Sequence, residues 1–596
     1  MSSGSPNEDD WRRLAEAGLE GSTIDKLVTK TPEGIAVEPL YVPRHLAGLA
    51  ARGEPGAAPF VRGGGRPGPS WVVAERLDVR ATRATSRAAS ASRAGAGALW
   101  LVGAEGTPPA SWEAVGHAAA GQDLHVLCDA GVSALSAEEA LSRGGARRVS
   151  ALYDPIGAAF VAGPPTGGLE ARFGEAARAV ERTSSADVRP LAVGASAVHE
   201  AGGHAALELG FVLASLAELV RRLAPHGISA ERVLASAALS VTAGVDQFAA
   251  IAKLRALRLA YAKLAHALGV AVSKPPLVVG HVSRRGQSRA DSATNHVRAT
   301  IEVFALAVGG ADVIVGRAFD DLAVEPTALG ERMARNTALV LREESRLGEV
   351  ADAAGGSYFI ERQTEDLARA GWEELRAIER EGGITQSLAS GVFGGRVRQA
   401  AAALLSETRR RKRVIVGTSE YAVPGERLAA ARPAPRAADD HARPVRVAEP
   451  FEAVRERAEA LEQGGARPVA VTVRLGAPPD WRARDEFARR LFEVGGFEVR
   501  AASLDDAKSI ARDAGASART AFVLCSSDAR YAELGADSTR ELALAGARAV
   551  VLAGKPGALE GALRAAGLFA EIYLGCDVPG VLEMVLQRLG SKEVAS

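Results

Sequence analysis

The residues able to do chemistry are few and widely spaced. Ten histidines end at His441, so no imidazole follows in the C-terminal part. His199-Glu-Ala-Gly-Gly-His204 sets two imidazoles five residues apart. A helix turning every 3.6 residues sends them to different faces, which argues against a shared metal ion. Cys128, Cys525 and Cys576 are odd in number, distant and without a CxxC pair. That usage fits a reducing compartment and disfavours a zinc ribbon or disulfide scaffold. Ser283-Arg284-Arg285-Gly286 follows an apolar run. At the C-terminal end of a barrel strand it could hold an anion or cap the mouth with an ion pair. Arg409-Arg-Arg-Lys-Arg413 reads as a solvated helix end, its cations near the negative pole of the dipole. Gly63-Gly64-Gly65 follows no strand and opens no helix, so it reads as a turn. No P-loop, H-E-x-x-H, G-x-S-x-G or kinase set occurs.

The bulk numbers exclude more. The 596 residues hold 72 Lys+Arg against 72 Asp+Glu, for zero formal charge. A whole-chain pull on nucleic acid or an anionic membrane is therefore not expected. Nine of the basic residues are Lys and the rest Arg, a bias that fits a GC-rich genome better than a binding surface. The opening MSSGSPNEDDW has neither a basic nor an apolar region of a signal peptide. No uncharged apolar run approaches the length of a membrane span. The expectation is a cytoplasmic chain with no nucleic-acid or membrane partner.

The elements that must position these residues alternate. Residues 1–45 read as an extended N-terminal arm, because Pro32, Pro39 and Pro43 forbid a continuous helix. Its apolar cluster of Ile35, Val37, Leu40, Tyr41 and Val42 then has to dock elsewhere. Residues 46–430 alternate apolar strands with amphipathic helices, which points to an α/β fold and, at that length, a (β/α)8 TIM barrel. Strands are predicted at Ala98–Val102, Leu124–Cys128, Val149–Tyr153, Leu191–Gly194, Leu277–His281, Val313–Gly316 and Tyr358–Ile360. Residues 431–463, rich in Pro, Ala and charge, read as a linker. Residues 464–596 offer five more strands, at Val469–Val473, Glu498–Ala501, Ala521–Leu524, Ala549–Leu552 and Glu571–Leu574. Five strands with helices between them fit a small doubly wound, flavodoxin-like domain.

Several strings together resemble the methylmalonyl-CoA mutase family over nearly the whole chain. They include Thr31-Pro-Glu-Gly-Ile, Ala58-Pro-Phe-Val-Arg-Gly63, Glu200-Ala-Gly-Gly203 with Glu208-Leu-Gly210, and Ile251-Ala-Lys-Leu-Arg-Ala-Leu-Arg258. Arg335-Asn336-Thr337 followed by Gly355-Gly-Ser-Tyr358 is the most specific. The resemblance implies an arm, a barrel binding acyl-CoA along its axis and a C-terminal cobalamin-binding domain.

The departures from the family pattern are specific. Catalytic members bind cobalamin through Asp-x-His-x-x-Gly; here Pro478, Asp480 and Ala483 stand at those positions. Catalytic members carry Tyr-His before the Glu-Ala-Gly string; here Ser196 and Ala197 stand there. A third family stretch, His-x-Gln-Thr-Ser-Gly-Trp, aligns with Val279–Arg285, where Gln and Trp are missing. The resemblance thus implies the small subunit of a heterodimeric mutase, with a degenerate cobalamin-binding-like domain, no catalytic, cofactor-binding or metal residues, and no cofactor of its own. Adenosylcobalamin and the interconversion of (R)-methylmalonyl-CoA and succinyl-CoA would belong to the catalytic large subunit, its partner. The alternatives are an active acyl-CoA mutase with a variant site, or a stand-alone acyl-CoA-binding scaffold.

Overall fold

A computed structural model describes residues 7–49, 52–64, 71–165, 168–431, 442–463, 465 and 467–590. Gly65 and His441 lie outside the described residues. Among the described residues no helix is long and apolar enough to cross a membrane.

The N-terminal stretch differs from a wholly extended arm. Glu8–Ala17 is a helix, because Asn7 accepts the Asp10 N–H at 2.9 Å and Glu8, Asp9 and Asp10 suit the positive helix N-terminus. A two-residue hairpin follows, β1 (Thr29–Lys30) against β2 (Ala36–Val37). Residues 24–46 lie on the chain's own barrel. Ile24 is buried, Tyr41 packs 4.9 Å from Phe359, and Glu33 accepts the Ala205 N–H at 2.8 Å.

Eight parallel strands form the barrel: β3 (Val72–Asp78), β4 (Ala98–Val102), β5 (His125–Asp129), β6 (Val149–Ser150), β7 (Leu191–Gly194), β8 (Ala237–Ala243), β9 (Leu277–Val282) and β10 (Val313–Val315). The sheet runs β6-β5-β4-β3-β10-β9-β8-β7, and a parallel bridge from Tyr153 to Leu191 joins its two ends. Two of these strands were not predicted. In β3 the charged pair Glu75 and Arg76 interrupts the apolar run, and β8 is built mainly of small residues that read equally well as helix. Tyr358–Ile360 is not a strand. It opens the helix Tyr358–Arg380, whose first turn is capped by Ser357. The Gly-Gly-Ser-Tyr string is therefore a turn plus a helix cap.

Side chains facing the barrel axis form a cluster of their own: Ala74, Ala98, Trp100, Leu127, Leu152, Ala192, Ala238, Val279, Val313 and Val315. The axis is filled, as in an ordinary barrel interior.

Three cations on the helix Gln247–Ala267 are buried with carboxylate partners. Lys253 meets Glu208 at 2.7 Å, Arg255 pairs with Asp352 and Glu361, and Arg258 meets Asp312 at 3.0 Å. The Ile251–Arg258 string is thus a row of buried ion pairs that binds barrel elements together. Gly202 is a second packing device. At φ +99° it sits where a Cβ would lie 2.8 Å from the Cα of Ala401. Gly202→Ala is expected to cost about 1–3 kcal/mol by overpacking, with backbone strain added, read as a lower midpoint in urea unfolding.

The segment predicted as linker, 431–463, is in its second half a helix, Glu449–Gln463. Phe451, Val454 and Ala458 recur at helical spacing and are buried in the core of the second sheet. That sheet is parallel, in the order β12 (Glu498–Ala502), β11 (Val469–Arg474), β13 (Thr520–Cys525), β14 (Ala549–Ala553), β15 (Leu568–Ile572). Separate apolar cores cover its two faces, which is why its central strands are continuously apolar. The last strand begins earlier than predicted, and Tyr573 and Leu574 lie beyond its end.

Candidate functional site

Two places in this architecture are where ligands bind in such folds: the C-terminal mouth of the barrel and the switch point of the open sheet.

The barrel mouth holds a cavity of about 480 Å³. Strand alternation turns Arg76, Trp100 and His281 inward. The Trp100 ring meets the His281 ring edge-on at 4.6 Å. His281 Nε2 is 2.6 Å from the Ser240 hydroxyl. Burial, helped by the charges of Arg317 and Arg76, pushes the His281 pKa down to about 3, so the ring is neutral. Asp154 accepts the N–H groups of Gly157 at 2.7 Å and Gly194 at 2.9 Å, tying the end of β6 to β7. Burial outweighs those donors and raises its carboxyl to about 6. Asp129 is likewise raised by burial, against the pull of Arg76 and a hydrogen bond from Trp100.

Ser196 and Ala197 both line this cavity, at the start of the helix Ser196–Glu200. The Ser196 hydroxyl is buried with no hydrogen-bond partner among the described residues, and Ala197 carries no group that could move a proton. The structure separates His199 from His204, as their spacing requires. His204 caps the helix Ala205–Leu223, while His199 Nδ1 contacts Glu208 at 3.0 Å and Nε2 contacts the Ser283 hydroxyl at 3.0 Å.

Ser283, His199 and Glu208 thus line up in the order of a hydrolase triad. Three features make this a structural network instead. Ser283 is 2% exposed, its oxygen already accepts the Arg285 N–H at 3.0 Å, and Lys253 neutralises Glu208. Burial first, then Arg285, lowers the His199 pKa to about 4. Burial alone would raise the Glu208 carboxyl, but Lys253 and His199 overcome it and hold it down, to about 2. Sequence reasoning missed the network because its members come from four separate elements.

Arg284 and Arg285 close the mouth. The Arg284 N–H donates to Glu200 at 2.9 Å, and Arg285 Nη1 donates to the carbonyls of His199 and Gly203. Three cations of the basic run at 409–413 are also paired. Arg409 meets Asp577 at 2.7 Å, Arg413 meets Glu407 at 2.6 Å, and Arg411 pairs with Glu420.

A test follows for the imidazoles. Burial depresses His125 and His281 to about 3 and His199 to about 4. A His that resists protonation when folded stabilises the fold fully above its unfolded pKa, about 6.5. Each contribution falls as pH drops from there toward the folded value, by about 1.4 kcal/mol per pH unit. In ¹³C-histidine spectra these three rings are expected to stay neutral at pH 5.5. Titration of any of them near pH 6.5 would contradict the assignment.

At the second site, β11 ends at Arg474 and only Leu475, Gly476 and Ala477 precede the helix Pro478–Val494. Pro478 opens that helix and Ala483 is exposed within it. Asp480 reaches back to accept the Ala477 N–H at 2.9 Å, so its carboxylate caps the helix. Gly476 supplies the tight turn at φ +87°.

Opposite, Tyr531 fills the crevice. Its hydroxyl lies 2.8 Å from the Leu524 carbonyl and 2.9 Å from the Ala553 carbonyl, which share its one proton, and it accepts the Ser526 N–H. Arg484 lies over the Tyr531 ring, its Cζ 5.1 Å from the centroid, and donates to the Ser526 carbonyl at 2.7 Å. The Arg484 guanidinium rests on Gly554, where a Cβ would come within 2.9 Å. The crevice over the ends of β13 and β14, beside the switch point between β11 and β13, is therefore occupied by the chain's own side chains.

The family model described as methylmalonyl-CoA mutase matches residues 176–463. A methylmalonyl-CoA mutase small subunit of Streptomyces virginiae is 35% identical, covering 97% of this chain and 96% of that one. A probable methylmalonyl-CoA mutase small subunit of Mycobacterium tuberculosis is 31% identical, covering 95% and 93%. A methylmalonyl-CoA mutase of Cereibacter sphaeroides is 28% identical over 69% of this chain and 64% of that one. Among solved structures, a methanol:cobalamin methyltransferase complex from Methanosarcina barkeri covers 56% of this chain and 85% of that one at 11% identity, with a TM-score of 0.22, an overlap too slight to carry an argument. With relatives of this identity spanning nearly its whole length, the chain belongs to the methylmalonyl-CoA mutase family.

Proposed function

We propose that this chain is the non-catalytic small subunit of a heterodimeric methylmalonyl-CoA mutase. The isomerisation of (R)-methylmalonyl-CoA and succinyl-CoA takes place on a large subunit, which holds the adenosylcobalamin. The observation that carries this reading is the filled barrel axis. Trp100, Leu127, Leu152, Val279, Val313 and Val315 pack together along the barrel axis, where the family resemblance implies that an acyl-CoA would lie. At the mouth, Ser196 and Ala197 stand where the family's catalytic chains place Tyr and His.

The residues of the second domain do not fit cobalamin. A cobalt-ligating imidazole needs a partner that sets its tautomer. Here Asp480 caps its own helix, no histidine follows His441, and Arg484 and Tyr531 fill the crevice that would take the nucleotide tail. No step is routed through the cofactor on this chain. Its role is to bind and stabilise the large subunit.

The test is an assay of the purified chain with adenosylcobalamin and methylmalonyl-CoA, alone and after mixing with the large subunit. The chain alone is expected to give no succinyl-CoA, and Ala197→His is expected to change nothing, because losses acting on one site do not add. Turnover by the chain alone overturns the proposal.

A further inference from the structure

The cavity at the barrel mouth has spare bonding capacity that neither the fold nor the proposed function uses. Several of its polar groups are committed. Asp154 is held by two backbone N–H groups, His281 by Ser240, Glu200 by the Arg284 N–H, and Arg317 by the Val282 carbonyl and Asp321.

Four charged groups are not: Glu105 and Arg172, which make no ion pair among the described residues, and the opposite charges of Arg76 and Asp129. Arg76 makes no hydrogen bond through its guanidinium among the described residues and has one ion pair, at 3.7 Å to Asp321. Asp129 opens onto the cavity and accepts from the Trp100 indole, with no cation within ion-pair distance among the described residues. Arg76 and Asp129 both line the cavity and form no ion pair with each other. Thr242, 1% exposed, lines the same cavity, and its hydroxyl, like that of Ser196, has no partner among the described residues. Val102, Val132 and Val161 supply an apolar flank.

A buried hydroxyl left unpaired costs about 1–3 kcal/mol, and a guanidinium and a carboxylate held apart are each complementary to one end of a zwitterion. A singly charged ligand would satisfy only one of them. An apolar side chain would match the valine flank, and a volume of about 480 Å³ admits a small molecule with room for water.

We propose that this cavity binds a free aliphatic α-amino acid, its ammonium on Asp129 and its carboxylate on Arg76 and the Thr242 hydroxyl. The inference is independent of the heterodimer, since every residue it uses is on this chain.

The experiment is calorimetric titration of the full-length chain with L-valine, and with propionate and isopropylamine as probes bearing one charge each. Saturable binding of valine is expected, with the single-charge probes weaker by about tenfold or more, the weight of one charge-assisted hydrogen bond. Asp129→Asn keeps an acceptor for the Trp100 indole and is expected to weaken valine by about tenfold. Thr242→Val is isosteric, removes a hydroxyl without a partner, and is expected to weaken valine without lowering thermal stability. Failure of valine to bind at up to about 10 mM, a range that would register even a millimolar site, overturns the inference. So does propionate binding as tightly as valine, or unchanged valine affinity in both folded variants.

Discussion

Replacing Lys253 by Met is expected to lower barrel stability by about 3–5 kcal/mol. Lys253 is 4% exposed, and its ammonium donates to both Glu208 oxygens, at 2.7 and 2.8 Å, and to the Thr242 carbonyl. Methionine fills most of the same volume, so the loss is electrostatic. It leaves Glu208, 1% exposed, with His199 as its remaining side-chain partner.

The pH dependence identifies the cause. With Lys253 present, the folded-state carboxyl is held down to about 2. Its contribution is therefore present above the ordinary carboxylate value and is lost as pH falls through about 2. Without Lys253, burial raises the folded-state value, and the variant loses stability as pH rises. The gap between native and variant proteins is thus expected to widen from pH 4 to pH 7 in urea titrations. The double variant Lys253→Met with Glu208→Leu removes both charges and is expected to recover most of the loss. A single-variant cost below about 1 kcal/mol, the scale of an exposed ion pair, would contradict the buried-pair assignment.

Truncating the N-terminus is expected to divide the arm into two parts. Removal of residues 1–21 should leave barrel stability within about 0.5 kcal/mol, as for surface changes. The helix Glu8–Ala17 buries none of its residues, and Leu14 is 73% exposed. Removal of residues 1–49 should cost about 2–3 kcal/mol, the scale of uncovering the apolar surface that Ile35 and Tyr41 bury on the barrel. It also strips the Glu33 cap from the Ala205 N–H. Circular dichroism melts of the two truncations measure the difference directly. The composition of the arm led to the expectation that its apolar residues dock outside the arm. The Tyr41–Phe359 contact places part of that surface on the chain itself.

Much of the fold was legible because its strands are buried on both faces and read as plain apolar runs. Leu191–Gly194 and Ala98–Val102 coincide with their predicted bounds. Where the reading failed, a tertiary partner had overridden the local pattern. β3 hides because Glu75 is paired inside the protein, with Arg87 at 2.9 Å and Arg335 at 3.0 Å. The helix at Glu8–Ala17 did have a signal, an Asn followed by three acidic residues, which the proline-rich stretch after it obscured. The second half of the supposed linker was legible in the spacing of Phe451, Val454 and Ala458.

At the sites, Ser196, Ala197, Pro478, Asp480 and Ala483 could be located along the chain, but what replaces the missing groups could not. That Trp100 crosses the barrel axis depends on which strand face turns inward. That Arg484 and Tyr531 meet over Gly554 depends on three segments coming together.

The central claim is that one of the two mutase chains, this one, does without cobalamin. The most direct measurement is the amount of cobalamin bound per heterodimer. The purified pair is saturated with adenosylcobalamin, freed of excess by gel filtration, and its cobalamin absorbance is compared with protein concentration. One equivalent per pair is the predicted result, and two equivalents would contradict it.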